Sequence, residues 1–166
     1  MRHTNAGRRL SNRSGPLHMS NPKHLVHIIG DLPVGGAERV LYTLLEHADR
    51  HRFRFTVLSL RSGGALVPAI ESLRVPVVSM DLCGSRSAIP GFRRLVAWLR
   101  RNQPDGIATW LYHANLIGSL AAQLAGCIPV LWNIHHATLL PETIKWSTRM
   151  TAKIGGRVSH AAGCRR

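Results

Sequence analysis

The chain is short of acid. It holds 8 Asp and Glu against 22 Lys and Arg in 166 residues, a formal net charge of +14 with a pI near 11.6. Such a balance fits a polyanionic neighbour: nucleic acid, an anionic membrane surface or phosphorylated ligands. It equally fits an arginine-heavy composition spread over solvated faces. Cysteine is scarce too. Cys83, Cys127 and Cys164 are far apart, odd in number and form no C-x-x-C pair, which argues against a disulfide framework and a zinc knuckle and favours a reducing compartment. Long apolar runs are missing. The longest, residues 120–134, is interrupted by Gln123, Gly126 and Pro129 and reads as a helix end followed by a strand. The N-terminus has no apolar core of a secretory signal. Neither G-x-G-x-x-G nor G-x-x-x-x-G-K-[ST] occurs. Aromatics are 5% of residues, and Trp98, Trp110, Trp132 and Trp146 are scattered as core and interface anchors rather than gathered into a base-stacking platform.

What is present suffices for one domain with a real core, since 45% of residues are hydrophobic. Residues 1–22 form a polar, acid-free leader carrying Arg2, Arg8, Arg9 and Arg13, expected to be disordered. It reads as an inert tail, an anion-binding arm, a transit peptide, or a segment upstream of a true start at Met19. From residue 23 the pattern alternates. Strands are expected near 24–30, 53–60, 77–80, 106–111 and 129–134, with helices near 37–48, 65–73, 92–99, 116–125 and 140–154. Residues 83–90 read as a loop. Strands separated by helices predict βα units: an α/β fold with a doubly wound, parallel, Rossmann-like sheet.

The chain is organised around Gly30-Asp31-Leu32-Pro33-Val34-Gly35-Gly36-Ala37-Glu38-Arg39. An apolar segment precedes it. Ala37, Val40, Leu41, Leu44, Leu45 and Ala48 follow at one-face helical spacing. Such a strand–glycine loop–helix junction brings bare backbone N–H groups and a positive helix end close to a phosphate; the plainer reading is a tight turn needing positive φ. In doubly wound sheets ligands bind beyond the carboxyl ends of the strands. Those ends carry Gly30 to Gly36, Tyr112-His113-Ala114-Asn115 and His135-His136. His135 and His136, or His47 and His51, could begin a metal site, but no carboxylate or third ligand accompanies the first pair, and the second suits a helix C-terminus; no metal is expected. Glu38 reads as a residue compensating the helix dipole.

Gly35-Gly36-Ala37-Glu38-Arg39-Val40, His113-Ala114-Asn115-Leu116-Ile117-Gly118 and Asn133-Ile134-His135-His136, in that order and at those strand ends, resemble the N-terminal half of a family 4 glycosyltransferase of the GT-B fold. The resemblance runs over residues 23–161. It implies an acceptor-side domain of an enzyme that moves a sugar from a nucleotide-diphospho-sugar with retention of configuration. It implies no cofactor other than that donor substrate. By the same resemblance Gly35 and Gly36 would lie near the donor diphosphate and His135 beside the transferred sugar as the catalytic-site residue. Asp31, His113 and Asn115 would face the acceptor, for which a lipid-linked or cell-envelope glycan is one possibility.

The chain also departs from that family. A donor half should carry an Arg/Lys pair for the phosphates and a Glu-x7-Glu motif; neither is here, and no acid follows Glu142. Residues 162–166, Ala-Gly-Cys-Arg-Arg, read as an aberrant or truncated tail. Without groups to stabilise a leaving diphosphate the chain is expected to be inactive by itself. The expected partners are therefore a nucleotide-sugar, a glycan or lipid acceptor and the missing C-terminal half. Arg93, Arg94, Arg100 and Arg101, with a stripe at Lys145, Arg149, Lys153 and Arg157, offer a cationic face for an anionic membrane; the plain alternative is a solvated face. A cytoplasmic location, peripheral at the inner membrane face, follows from that reading. A nucleic-acid-binding module and a non-catalytic half that binds a partner are the competing readings; the first lacks any recognised DNA or RNA motif.

Overall fold

The computed structural model describes residues 21–82 and 87–133. Five parallel strands form one sheet. They are β1 (Lys23–Ile29), β2 (Phe53–Ser59), β3 (Val77–Ser79), β4 (Gly106–Trp110) and β5 (Val130–Asn133), in the order β3-β2-β1-β4-β5. Between them run α1 (Gly36–His47), α2 (Val67–Ser72), α3 (Ala88–Asn102) and α4 (Leu111–Leu124). The expected doubly wound sheet is therefore present.

Alternation along the strands divides the core in two. Val26, Ile28 and Leu58 face α3 and α4 and pack with Leu95, Leu99, Ala121 and Ala122. Ile29, Phe55 and Val57 face α1 and α2 and pack with Leu41, Leu45 and Ile70. Both faces are covered, so the strands read as near-continuous apolar runs, as in parallel sheets generally. Small residues set the spacing. A Cβ at Gly118 would lie 2.5 Å from Thr109 Cγ2, so only glycine lets α4 rest on β4.

Several element boundaries correct the sequence-based expectation. The apolar stripe of α1 is narrower than its spacing implies: Val40 is 46% and Leu44 42% exposed, while Glu38 is buried beside Ala37, Leu41 and Leu45. The loop expected up to Pro90 ends sooner, because α3 begins at Ala88 and proline is tolerated in a first helical turn. Tyr112 to Asn115, read as a strand-end segment, forms the first turn of α4. Cys127 is disulfide-bonded. The scattered, odd-numbered cysteines did not lead to that expectation, and the partner of Cys127 lies outside the described residues. The helix expected over 140–154, with its cationic stripe, and most of the leader lie outside the described residues. Among the described residues no helix is long and apolar enough to cross a membrane.

Candidate functional site

Strand order fixes where a site can be. From β1 the chain proceeds outward to β2 and β3, then returns to β4 on the other side of β1. The segments leaving β1 and β4 therefore diverge onto opposite faces of the sheet and open a crevice at their carboxyl ends. Ile29 and Trp110 are register partners, so the Gly30–Gly35 loop and the first turn of α4 start side by side.

The loop is held by Leu32. Its side chain is fully buried, its N–H donates to Asp31 Oδ1 at 2.8 Å, and its carbonyl accepts from Leu66 N–H at 3.1 Å. Gly64, at φ +116, lies so close below that a Cβ there would stand 2.6 Å from the Leu32 carbonyl oxygen. Gly35 and Gly36 are not needed for conformation. Gly35 has φ −124, and neither glycine is among the positive-φ residues. The tight-turn explanation therefore fails for this pair. A Cβ at Gly35 would run into the Glu38 carboxylate, which accounts for the first glycine by contact within the chain. A Cβ at Gly36 would meet nothing within 4 Å. Gly36 thus leaves open space at the first residue of α1, where unsatisfied N–H groups point out of the helix. Glu38 already supplies negative charge to this helix end, so its field is partly used. What remains open for a ligand is the backbone at Gly36.

Across the crevice, β4 passes into α4 without a connecting loop. The turn is made at Leu111, a non-glycine residue at φ +68. Left-handed backbone in such a residue is costly and is often kept at functional sites. Asn115 locks the junction: with its buried amide oriented to donate, the nitrogen reaches Thr109 Oγ1 at 2.8 Å and the Thr109 and Leu111 carbonyls at 3.1 Å each. The structure thus gives Asn115 an internal task, shaping the turn. His113 is exposed on that same turn. Asp31, half-exposed, has Oδ2 3.9 Å from Arg61 Nε. Sequence reasoning passed over Arg61, although it lies just beyond the carboxyl end of β2, where the strand-end rule would have found it. Asp31, Gly35, Gly36 and His113 are therefore gathered at adjacent strand ends, Asn115 lies beneath, and His135 is outside the described residues.

Below the crevice, the sheet buries two histidines. His27 Nδ1 accepts a hydrogen bond from Trp110 Nε1 at 3.1 Å, and burial pushes its pKa down to about 4. His24 is lowered as well, first by burial and then by Arg54. Both are neutral core groups at neutral pH. His47 Nδ1 meets the Thr43 carbonyl at 2.9 Å in the last turn of α1, a helix-end contact. No group of three or more His, Cys, Asp or Glu suited to a metal ion occurs among the described residues.

The family model for Glycosyltransferase Family 4 matches residues 34–163. The chain belongs to this family. Solved structures share its fold. HepE from Anabaena in complex with UDP superposes with a TM-score of 0.62 at 19% identity, covering 86% of this chain and 41% of HepE. HepE with UDP and glucose gives 0.61 at 20% identity, over 86% of this chain and 42% of that one. MurG from Acinetobacter baumannii gives 0.62 at 18%, over 82% and 40%. No curated protein matches. The sheet is therefore the Rossmann-like fold of GT-B glycosyltransferases, and this family 4 chain spans about two-fifths of the length of these neighbours.

Proposed function

We propose that the chain is the N-terminal, acceptor-side domain of a retaining glycosyltransferase that uses a nucleotide-diphospho-sugar donor. The observation that carries this reading is the open space at Gly36, at the switch point of a family 4 domain. The solved neighbour HepE binds UDP and glucose, which supports the donor class. In this reading the backbone at Gly35 and Gly36 approaches the donor diphosphate, and His135 stands beside the transferred sugar. Asp31 and His113 face the acceptor, a lipid-linked or cell-envelope glycan being the class in view, with Asn115 supporting the turn that presents His113. No metal or cofactor takes part. The 166-residue chain alone transfers no sugar and works with a C-terminal donor half. Its location is cytoplasmic, peripheral at the inner membrane face.

The test is an NMR titration of the chain with UDP. Weak saturable binding is expected, with the largest amide shifts at Asp31, Gly35, Gly36 and the first turn of α4. Gly36→Val should abolish the shifts while leaving the thermal melt nearly unchanged, because the new side chain enters open space. Shifts confined to other strand ends, or equal UDP binding by the variant, would overturn the reading.

A further inference from the structure

The opposite edge of the sheet holds a cavity of about 670 Å³. It lies at the amino ends of β1, β2 and β3, a full strand length from the Gly36 crevice, and its walls include Arg50, Arg54, Arg74, His24, Asn102 and Trp98. None of its lining residues is acidic. Acids are few in this chain, and those nearby are engaged elsewhere: Asp105 binds Lys23 Nζ at 3.0 Å and the His24 N–H at 2.8 Å, and Asp49 accepts from the His51 N–H at 2.9 Å.

The three guanidiniums are placed in different ways. Arg50 donates to the Leu45 carbonyl at 2.5 Å and lies over the Phe55 ring, 5.1 Å from its centre, so its charge is held at the rim. Arg54 and Arg74 have no carboxylate within 4.0 Å among the described residues. Arg74 is fixed at φ +58, a left-handed backbone conformation that glycine or asparagine would adopt at less cost. Its N–H is tied to the Glu71 carbonyl at 2.8 Å. On the cavity wall His24 is 5% exposed. Its Nε2 meets Thr56 Oγ1 at 3.0 Å, and its Nδ1 has no hydrogen-bond partner. His24 thus presents a neutral, sealed ring to the wall, with its one hydrogen bond turned to Thr56.

We propose that this cavity is a second, separate binding site for a small phosphate monoester, gripped by Arg54 and Arg74 with His24 and Asn102 on its inner wall. Guanidinium forks match phosphate oxygens and form charge-assisted hydrogen bonds with them. An open cavity lined by arginines and no acid offers a compact anion a uniformly positive field.

Inorganic phosphate is the probe, titrated into the full chain at constant ionic strength with the His24 and Asn102 side-chain resonances observed. Saturable shifts are expected. Arg54→Gln with Arg74→Gln should weaken binding by about tenfold or more. Arg93→Gln with Arg101→Gln, the same change of net charge on α3, should leave it within about twofold. Arg74→Gly provides a second variant, since glycine suits the backbone there: it should lose phosphate without melting lower than the parent. Gly36→Val should not affect this site, which separates its fate from that of the crevice. Equal weakening by both charge pairs would reduce the cavity to general electrostatics. Shifts produced by phosphatidic acid vesicles and not by free phosphate would replace the small ligand with a membrane. Either result overturns the proposal, as does an absence of saturation.

Discussion

His27 occupies the least watery surroundings of any titratable residue described. It sits mid-strand between Phe55 and Trp110, with ring centres 5.7 and 6.0 Å away. Its pKa is lowered from 6.5 to about 4 in the folded chain, so the unfolded chain binds more protons between those values. Stability is therefore full above pH 6.5 and declines as pH falls through this window towards pH 4, by at most about 3 kcal/mol. His24 acts in the same direction. Urea unfolding should show a loss of roughly 2 kcal/mol between about pH 7 and about pH 5. His27→Phe should be less stable at neutral pH, because the hydrogen bond from Trp110 Nε1 to the His27 ring is lost, but its stability should depend less on pH. An unchanged slope in the variant would show that His27 is not the group responsible. A residue-by-residue reading of the sequence could not foresee this. His24 and His27 in the alternating segment gave no sign of which face each would take or how deeply the sheet would bury them.

At the scale of elements, α4 and its approach to β4 hold the crevice in shape. Gly118→Val would drive a branched side chain against Thr109 Cγ2 and Ile28 Cδ1, which lie 2.5 and 3.3 Å from where its Cβ would stand, and should destabilise the chain by about 1–3 kcal/mol. A lowered denaturant midpoint with loss of the UDP-induced shifts is expected. A variant as stable as the parent would mean that the helix can lift without consequence. Periodicity located the centre of this helix but not its start. Leu111 carries the turn with neither glycine nor proline to announce it, and Asn115, which stabilises it, is five residues beyond the strand's last residue. In α1 the fault ran the other way. Val40 and Leu44 fit an apolar stripe and remain substantially exposed, because the core behind them is filled by Ala37, Leu41 and Leu45, with Tyr42 and Ala48 at its margin.

For the whole molecule, a net charge of +14 is distributed less freely than composition implies. On α3, Arg94 Nη1 pairs with Asp81 Oδ2 at 2.9 Å, and Arg100 donates through Nη2 to the Leu124 carbonyl at 2.8 Å, closing the C-terminal end of α4. Arg93 and Arg101 are exposed for an outside partner. If the domain works at an anionic membrane, the full chain should co-sediment with phosphatidylserine-containing vesicles, be released by salt, and bind more weakly after Arg93→Gln with Arg101→Gln. Equal sedimentation with neutral vesicles would reject an electrostatic attachment. In parallel, incubation of the chain with UDP-sugars and candidate acceptors should yield no transfer product. Robust transfer would refute the division of labour proposed for the two halves.

The sequence by itself determined the alternation of strands and helices, the parallel sheet, the family and the strand ends worth inspecting. These rest on local periodicity and on short motifs, both written along the chain. Tertiary structure decided the strand order β3-β2-β1-β4-β5, and hence that the Gly30–Gly35 loop and the start of α4 open side by side. It also decided that Gly35 accommodates Glu38 while Gly36 faces open space, that Asn115 turns inward, and that Arg50, Arg54, Arg74 and the buried His24 line one cavity at the amino ends of the strands. These facts depend on which segments become neighbours in space, and burial, field and access all follow from those neighbours rather than from position in the chain.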